Sequence, residues 1–153
     1  MRLIFLSLFL ILCQLVSAQN CIPGWQFYRP VTIQNPSSSS LTDMQVSFEL
    51  DTKTLVSENK MQANGADLRV FDENCNLLPF YVNGDSVSTD STISVWVKLA
   101  SLAANDSALL QIYYGNDTAS SAADGDATFV FFDDFASGSV DPTKWDAIGG
   151  FAT

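Results

Sequence analysis

Four side chains in this chain are the best placed to do chemistry: Trp96, Tyr113, Asp67 and Arg69. Trp96 stands between Val95 and Val97, and Tyr113 between Ile112 and Tyr114. Strand parity sets each aromatic opposite the aliphatic face of its own strand. An aromatic pair exposed on a flat sheet face stacks on sugar rings or docks a partner; under a covering layer the same pair is core. Asp67 and Arg69 share a parity and are expected on the wet face of their strand. There they form an ion pair or bind a sugar hydroxyl. These four are the candidate ligand-binding residues.

Catalytic and metal chemistry finds less support. The chain has no histidine, which removes the commonest general base and the usual zinc ligands. Glu49, Glu58 and Glu73 fall in no recognisable motif, whereas glycoside hydrolysis needs two carboxylates about 5–10 Å apart across a cleft. No catalytic residue is assigned. Asp72-x-Asn74-x-Asn76 mimics the start of a calcium loop, but Leu77 occupies the position where such a loop needs glycine. It reads as turn chemistry. Asp124, Asp126, Asp133 and Asp134 form the densest acidic group, and their hard oxygens suit Ca²⁺. A solvated loop followed by a jelly-roll opening is the better account, so no metal site and no cofactor are assigned, with Ca²⁺ as the alternative.

The formal net charge is −10. A surface this acidic argues against nucleic acid and anionic membranes, which need Lys/Arg patches. Residues 1–18 read as a signal peptide. Arg2 gives the positive start, Leu3–Leu12 the apolar run, and Val16-Ser17-Ala18 the cleavage site. The apolar run is shorter than the about 20 residues a membrane span requires. No span is expected after cleavage. Cys21 and Cys75 then remain, and two cysteines in an exported chain predict one disulfide.

The elements that must position these residues are strands. Leu41–Asp51 alternates Met44, Val46, Phe48 and Leu50 with polar residues, as in a sheet with one wet face. Trp25–Gln34 is a strand that Pro30 makes either an edge or the site of a bulge. Leu55-Val56 begins a short helical turn. Ala66–Asp72 and Leu77–Val82 are two short strands, the second placed at an edge by Pro79. Thr92–Asn116 holds two period-two runs around a short connection, which reads as a β-hairpin. Ile93, Val95, Val97 and Leu99 line one face, and Leu110, Ile112 and Tyr114 line the other strand's. The fold class is all-β, an antiparallel, jelly-roll-like β-sandwich.

Several ordered motifs resemble the bacterial domain-of-unknown-function family 2341 (DUF2341). They are Gly24-Trp25 with Tyr28–Ile33, Lys60–Val70, Leu78–Val82, Ser94–Leu99 and Ile112–Asn116. The resemblance covers about Gly24–Asn116. It implies an exported or surface-associated protein, and no activity comes with it. Because the resemblance is bacterial, the sequons at Asn105 and Asn116 are expected to be unused. Phe131–Phe135 and Asp141–Trp145 resemble the opening strand of a concanavalin A-like or laminin-G-like jelly roll.

The expected organisation is a signal peptide at 1–18, a single β-sandwich domain at 19–116 and a small-residue linker at 117–127. A truncated start of a lectin-like jelly roll follows at 128–153. Alternatively, Phe129 and Phe131 complete the first sandwich. The expected function is a non-enzymatic, exported module with a binding, adhesion or spacer role. Its expected partners are a glycan or cell-surface ligand and a neighbouring lectin-like domain. The alternative is an accessory module of a secreted glycan-degrading enzyme whose catalytic domain lies beyond residue 153.

Overall fold

The computed structural model describes residues 20–136, 138 and 140–145. The expected signal peptide lies outside them. Among these described residues six strands form: β1 (Phe27–Asn35), β2 (Leu41–Leu50), β3 (Arg69–Phe71), β4 (Phe80–Tyr81), β5 (Ile93–Leu102) and β6 (Asp106–Tyr114). Short helices accompany them: α1 (Thr52–Ser57) follows β2, a 3-10 turn (Gly84–Ser86) precedes β5, and α2 (Gly125–Thr128) follows β6. The strands make two antiparallel three-stranded sheets, ordered β1-β6-β3 and β2-β5-β4. The protein is an all-β sandwich.

Local chemistry explains the ends of these elements. Pro30 lies on β1, an outer strand, where its missing N–H breaks no ladder. The Asp51 carboxylate caps α1 by accepting the Thr54 N–H at 3.0 Å. Pro79 directly precedes β4. Its carbonyl accepts the Lys98 N–H at 2.9 Å, but it has no N–H to return.

The hairpin expectation is corrected. β5 and β6 lie in different sheets and face each other across the core. β5 pairs with β2 and β6 pairs with β1. The reason is burial. Both strands carry a complete aliphatic face, and opposing those faces removes both from water. Val95 and Val97 of β5 and Leu110 and Ile112 of β6 are all fully buried. The link Ala103–Asn105 needs to span only the gap between sheets, about 10 Å. Asn35 pins this end: its Nδ2 donates to the carbonyls of Ala103 at 2.8 Å and Ser39 at 3.0 Å.

The chain after β6 stays on the sandwich. Gln62 Nε2 donates to the carbonyls of Asn116 at 2.8 Å and Ala119 at 2.9 Å. The Asp124 N–H donates to the Phe80 carbonyl at 2.8 Å, and the Asp124 carboxylate caps α2 through the Ala127 N–H. Gln45 Nε2 reaches the Thr128 carbonyl at 3.1 Å. This seats α2 against the outer face of the β2-β5-β4 sheet.

Candidate functional site

Asp67 is not on a wet face. It is fully buried, because the regular strand begins only at Arg69 and Asp67 belongs to the turn before it. Its carboxylate accepts backbone N–H groups from Gly115 at 2.7 Å, Gln62 at 3.0 Å and Asn116 at 3.3 Å. Burial of the ion is offset by these three donors. Gly115 sits at φ +88° with its Cα side closed by the Phe27 ring, a conformation and a space that suit glycine.

Arg69 is half-buried and directs its guanidinium at carbonyls. It donates to Leu68 at 2.6 Å, Ser120 at 2.7 Å and Ala66 at 2.9 Å. Its charged face lies 5.1 Å from the centre of the Trp25 ring, a cation–π contact. Burial lowers the pKa of this guanidinium from its ordinary value, and the nearby Asp67 carboxylate opposes that shift. The Trp25 indole N–H donates to the Asp67 carbonyl. Asp67, Arg69 and Trp25 thus form one interlocked unit that ties the start of the module to the end of β6.

Tyr113 is buried as well, with 3 % of its surface exposed. It packs between Tyr28 at 5.3 Å and Phe71 at 5.6 Å, ring centre to ring centre. Its hydroxyl accepts the Cys21 N–H at 3.1 Å. Cys21 is bonded to Cys75, with the two Cα atoms 5.0 Å apart. The disulfide holds the N-terminal arm over this part of the sheet, which strand parity alone leaves uncovered. Cys75 itself takes φ +62° in the Asp72–Asn76 turn. Asp72 shapes that turn by accepting the N–H groups of Asn74 and Asn76 and the Asn76 side-chain amide.

Trp96 is different. It remains 37 % exposed on the outer face of the β2-β5-β4 sheet. The Phe129 ring covers one side of it at 5.6 Å, and Phe132 in turn packs on Tyr81 at 4.5 Å. Beside this cluster opens a cleft of about 310 Å³, lined by Trp96, Tyr81, Glu49, Asn83, Asp90 and Ser94 among others. The Ser94 hydroxyl donates to Glu49 at 2.6 Å and fixes that carboxylate at the rim. An aromatic wall bordered by carboxylates, an amide and hydroxyls matches the needs of a polyhydroxylated ring.

The structure therefore separates the four sequence candidates. Asp67, Arg69 and Tyr113 lie together around β3 and the end of β6, and Trp96 lies alone on the opposite sheet. Sequence reasoning missed Tyr81, Glu49, Asn83 and Asp90 as neighbours of Trp96. Glu49 carried a signal, since it shares the wet parity of β2 that faces the same side as Trp96 of β5. Asp90 and Asn83 sit in loops, where parity says nothing.

The acidic groups are engaged locally. Asp126 pairs with Lys144 at 2.7 Å, and Asp133 accepts the Trp145 indole N–H at 2.6 Å. Among the described residues, no three Cys, Asp or Glu side chains converge as metal ligands. No helix of the described residues is long and apolar enough to cross a membrane.

No curated protein and no solved structure gives a match. One family model does, that of a domain of unknown function, DUF2341, over residues 64–148. The matched span begins at the Asn64-Gly65 turn before Asp67 and continues through β6, α2 and the aromatic segment that packs on Trp96. With more than half of its residues inside that span, the chain belongs to the DUF2341 family.

Proposed function

We propose that this chain is a non-enzymatic, exported binding module that takes a glycan at the Trp96 cleft. One observation carries the reading: a half-open indole beside Tyr81, in a cleft whose rim holds Glu49, Asn83, Asp90 and Ser94. Ring faces of sugars stack on such a wall while carboxylate and amide groups take their hydroxyls. The Cys21–Cys75 disulfide supports export, because such bonds persist in oxidising compartments. A glycan-array screen of Gln19–Thr153, followed by titration calorimetry, tests the proposal. The expected result is saturable binding, lost in Trp96→Ala while the melting transition stays cooperative. No saturable binding to any glycan, or full binding by Trp96→Ala, overturns it.

A further inference from the structure

A second surface is independent of the Trp96 cleft. β3 and β4 form one side of the sandwich, and both are short. β3 covers β6 only opposite Gln111–Tyr113, and β4 covers β5 only opposite Trp96–Val97. Yet β5 runs on to Leu102, and β6 starts back at Asp106. Among the described residues, the remainder of that side has no third strand in either sheet. The Leu78 N–H turns away to the Val70 carbonyl at 2.8 Å, and Pro79 has no N–H for the Lys98 carbonyl.

Parity identifies the groups left open. The Lys98 N–H points at β4, so Ala100, two residues on, presents its N–H and C=O to the same side. By the same logic, the ladder of β3 with Gln111 makes Leu109 present its own pair beside it. Between these two edges lies a groove of about 320 Å³. Its floor is apolar: Leu78, Leu99, Ala108 and Leu110. Its mouth carries Asp72 and Glu73. Leu109 is 39 % exposed there.

We propose that this groove is a β-augmentation site for an extended peptide segment of another protein. The segment alternates apolar residues and carries a Lys or Arg at one end. Its backbone pairs with the free edge at Ala100, its inward side chains rest on Leu78, Ala108 and Leu109, above the buried Leu99 and Leu110, and its cation meets Glu73. An unpaired edge above exposed apolar surface is the standing requirement for strand addition. The acidic mouth selects the cationic end. It also disfavours a second copy of this chain, whose net charge is −10.

The probe is a synthetic peptide of about seven residues, an alternating valine and threonine core with a lysine at each end, the core matching the open β5 edge from Lys98 to Leu102. The expected results are saturable binding to the intact chain and slowed amide exchange at Ala100. The same peptide N-methylated on its bonding edge should bind at least about tenfold more weakly, as loss of ladder bonds requires. This control leaves the protein unaltered, so folding is not in question. Leu109→Lys should weaken binding in parallel. Three results overturn the proposal: no saturation up to about 1 mM, equal binding of the N-methylated peptide, or protection of Ala100 through self-association without peptide.

Discussion

The carboxylate of Asp67 accepts the Gly115 N–H at 2.7 Å across 48 residues of chain. The same carboxylate holds Gln62 and Asn116, so one buried carboxylate ties its own loop to the end of β6. Asp67→Asn replaces one acceptor oxygen with an amide that faces N–H donors. The expected cost is about 2–3 kcal/mol, read as a lower denaturation midpoint with an unchanged slope. A loss below about 0.5 kcal/mol would show that the three donors find other partners.

The disulfide closes a span of 54 residues. Its removal in Cys21→Ser/Cys75→Ser should cost about 2–4 kcal/mol. It should also free the arm above Tyr113. Tyrosine accessibility to iodination separates the two effects: Tyr113 should become reactive in the double variant while the chain is still folded. Protection equal to that of the parent chain would mean that the arm stays seated without the bond.

Trp96 and Tyr113 should behave oppositely on truncation. Tyr113→Ala removes a buried ring packed by Tyr28 and Phe71 and should cost about 3–5 kcal/mol. Trp96→Ala removes a half-exposed ring and should cost under about 2 kcal/mol. Thermal melts of both variants decide this, and equal losses would place Trp96 in the structural core.

Gly125 lies against Phe132, whose Cε1 would be 2.2 Å from a Cβ added at that glycine. Gly125→Ala should therefore push Phe132 off Tyr81 and loosen Phe129 over Trp96. The emission of Trp96, taken as the difference from a Trp96→Phe variant, should shift to longer wavelength. An unshifted spectrum would show that the aromatic stack adjusts in place.

Asp72 introduces a pH dependence. Partial burial pushes its pKa up, but hydrogen bonds from Asn76 and Asn74 outweigh this and hold it below the usual carboxylate value of 3.8. A depressed folded-state pKa contributes stability above the unfolded value, and that contribution is lost as pH falls through the folded one. Acid titration of stability should therefore be shallower in Asp72→Asn below about pH 4, with the midpoint lower at neutral pH. Superimposable acid profiles would remove Asp72 from the account.

Much of the strand content was legible because one-sided burial writes itself as alternation. Val46, Phe48 and Leu50 on β2 and Val95, Val97 and Leu99 on β5 declare their inner faces, and Pro30 declares an edge. Pairing was not legible. Alternation says which way a side chain points but not which strand accepts its backbone bonds, so β5 and β6 read as a hairpin. Tyr113 shows the same limit. Its parity is outward, and the rings of Tyr28 and Phe71 together with the arm carried by Cys21 turn outward into buried. Asp67 read as wet because a strand pattern was begun three residues too early, in a turn two of whose donors, Gly115 and Asn116, come from distant positions. The neighbours of Trp96 lie on β2, β4 and a loop, and no local pattern links them.

The pairing of β1 with β6 has a consequence for how the module comes to exist. Phe27 finds its ladder partner at Tyr114, and Asn35 finds its own at Asp106. No sheet containing the first strand can close until the last has been made. Contacts this remote in sequence slow folding and make it depend on the whole chain being present. The emerging polypeptide thus has little it can prematurely complete. The β1-β6-β3 sheet, and with it the closed core, waits until Tyr114 arrives.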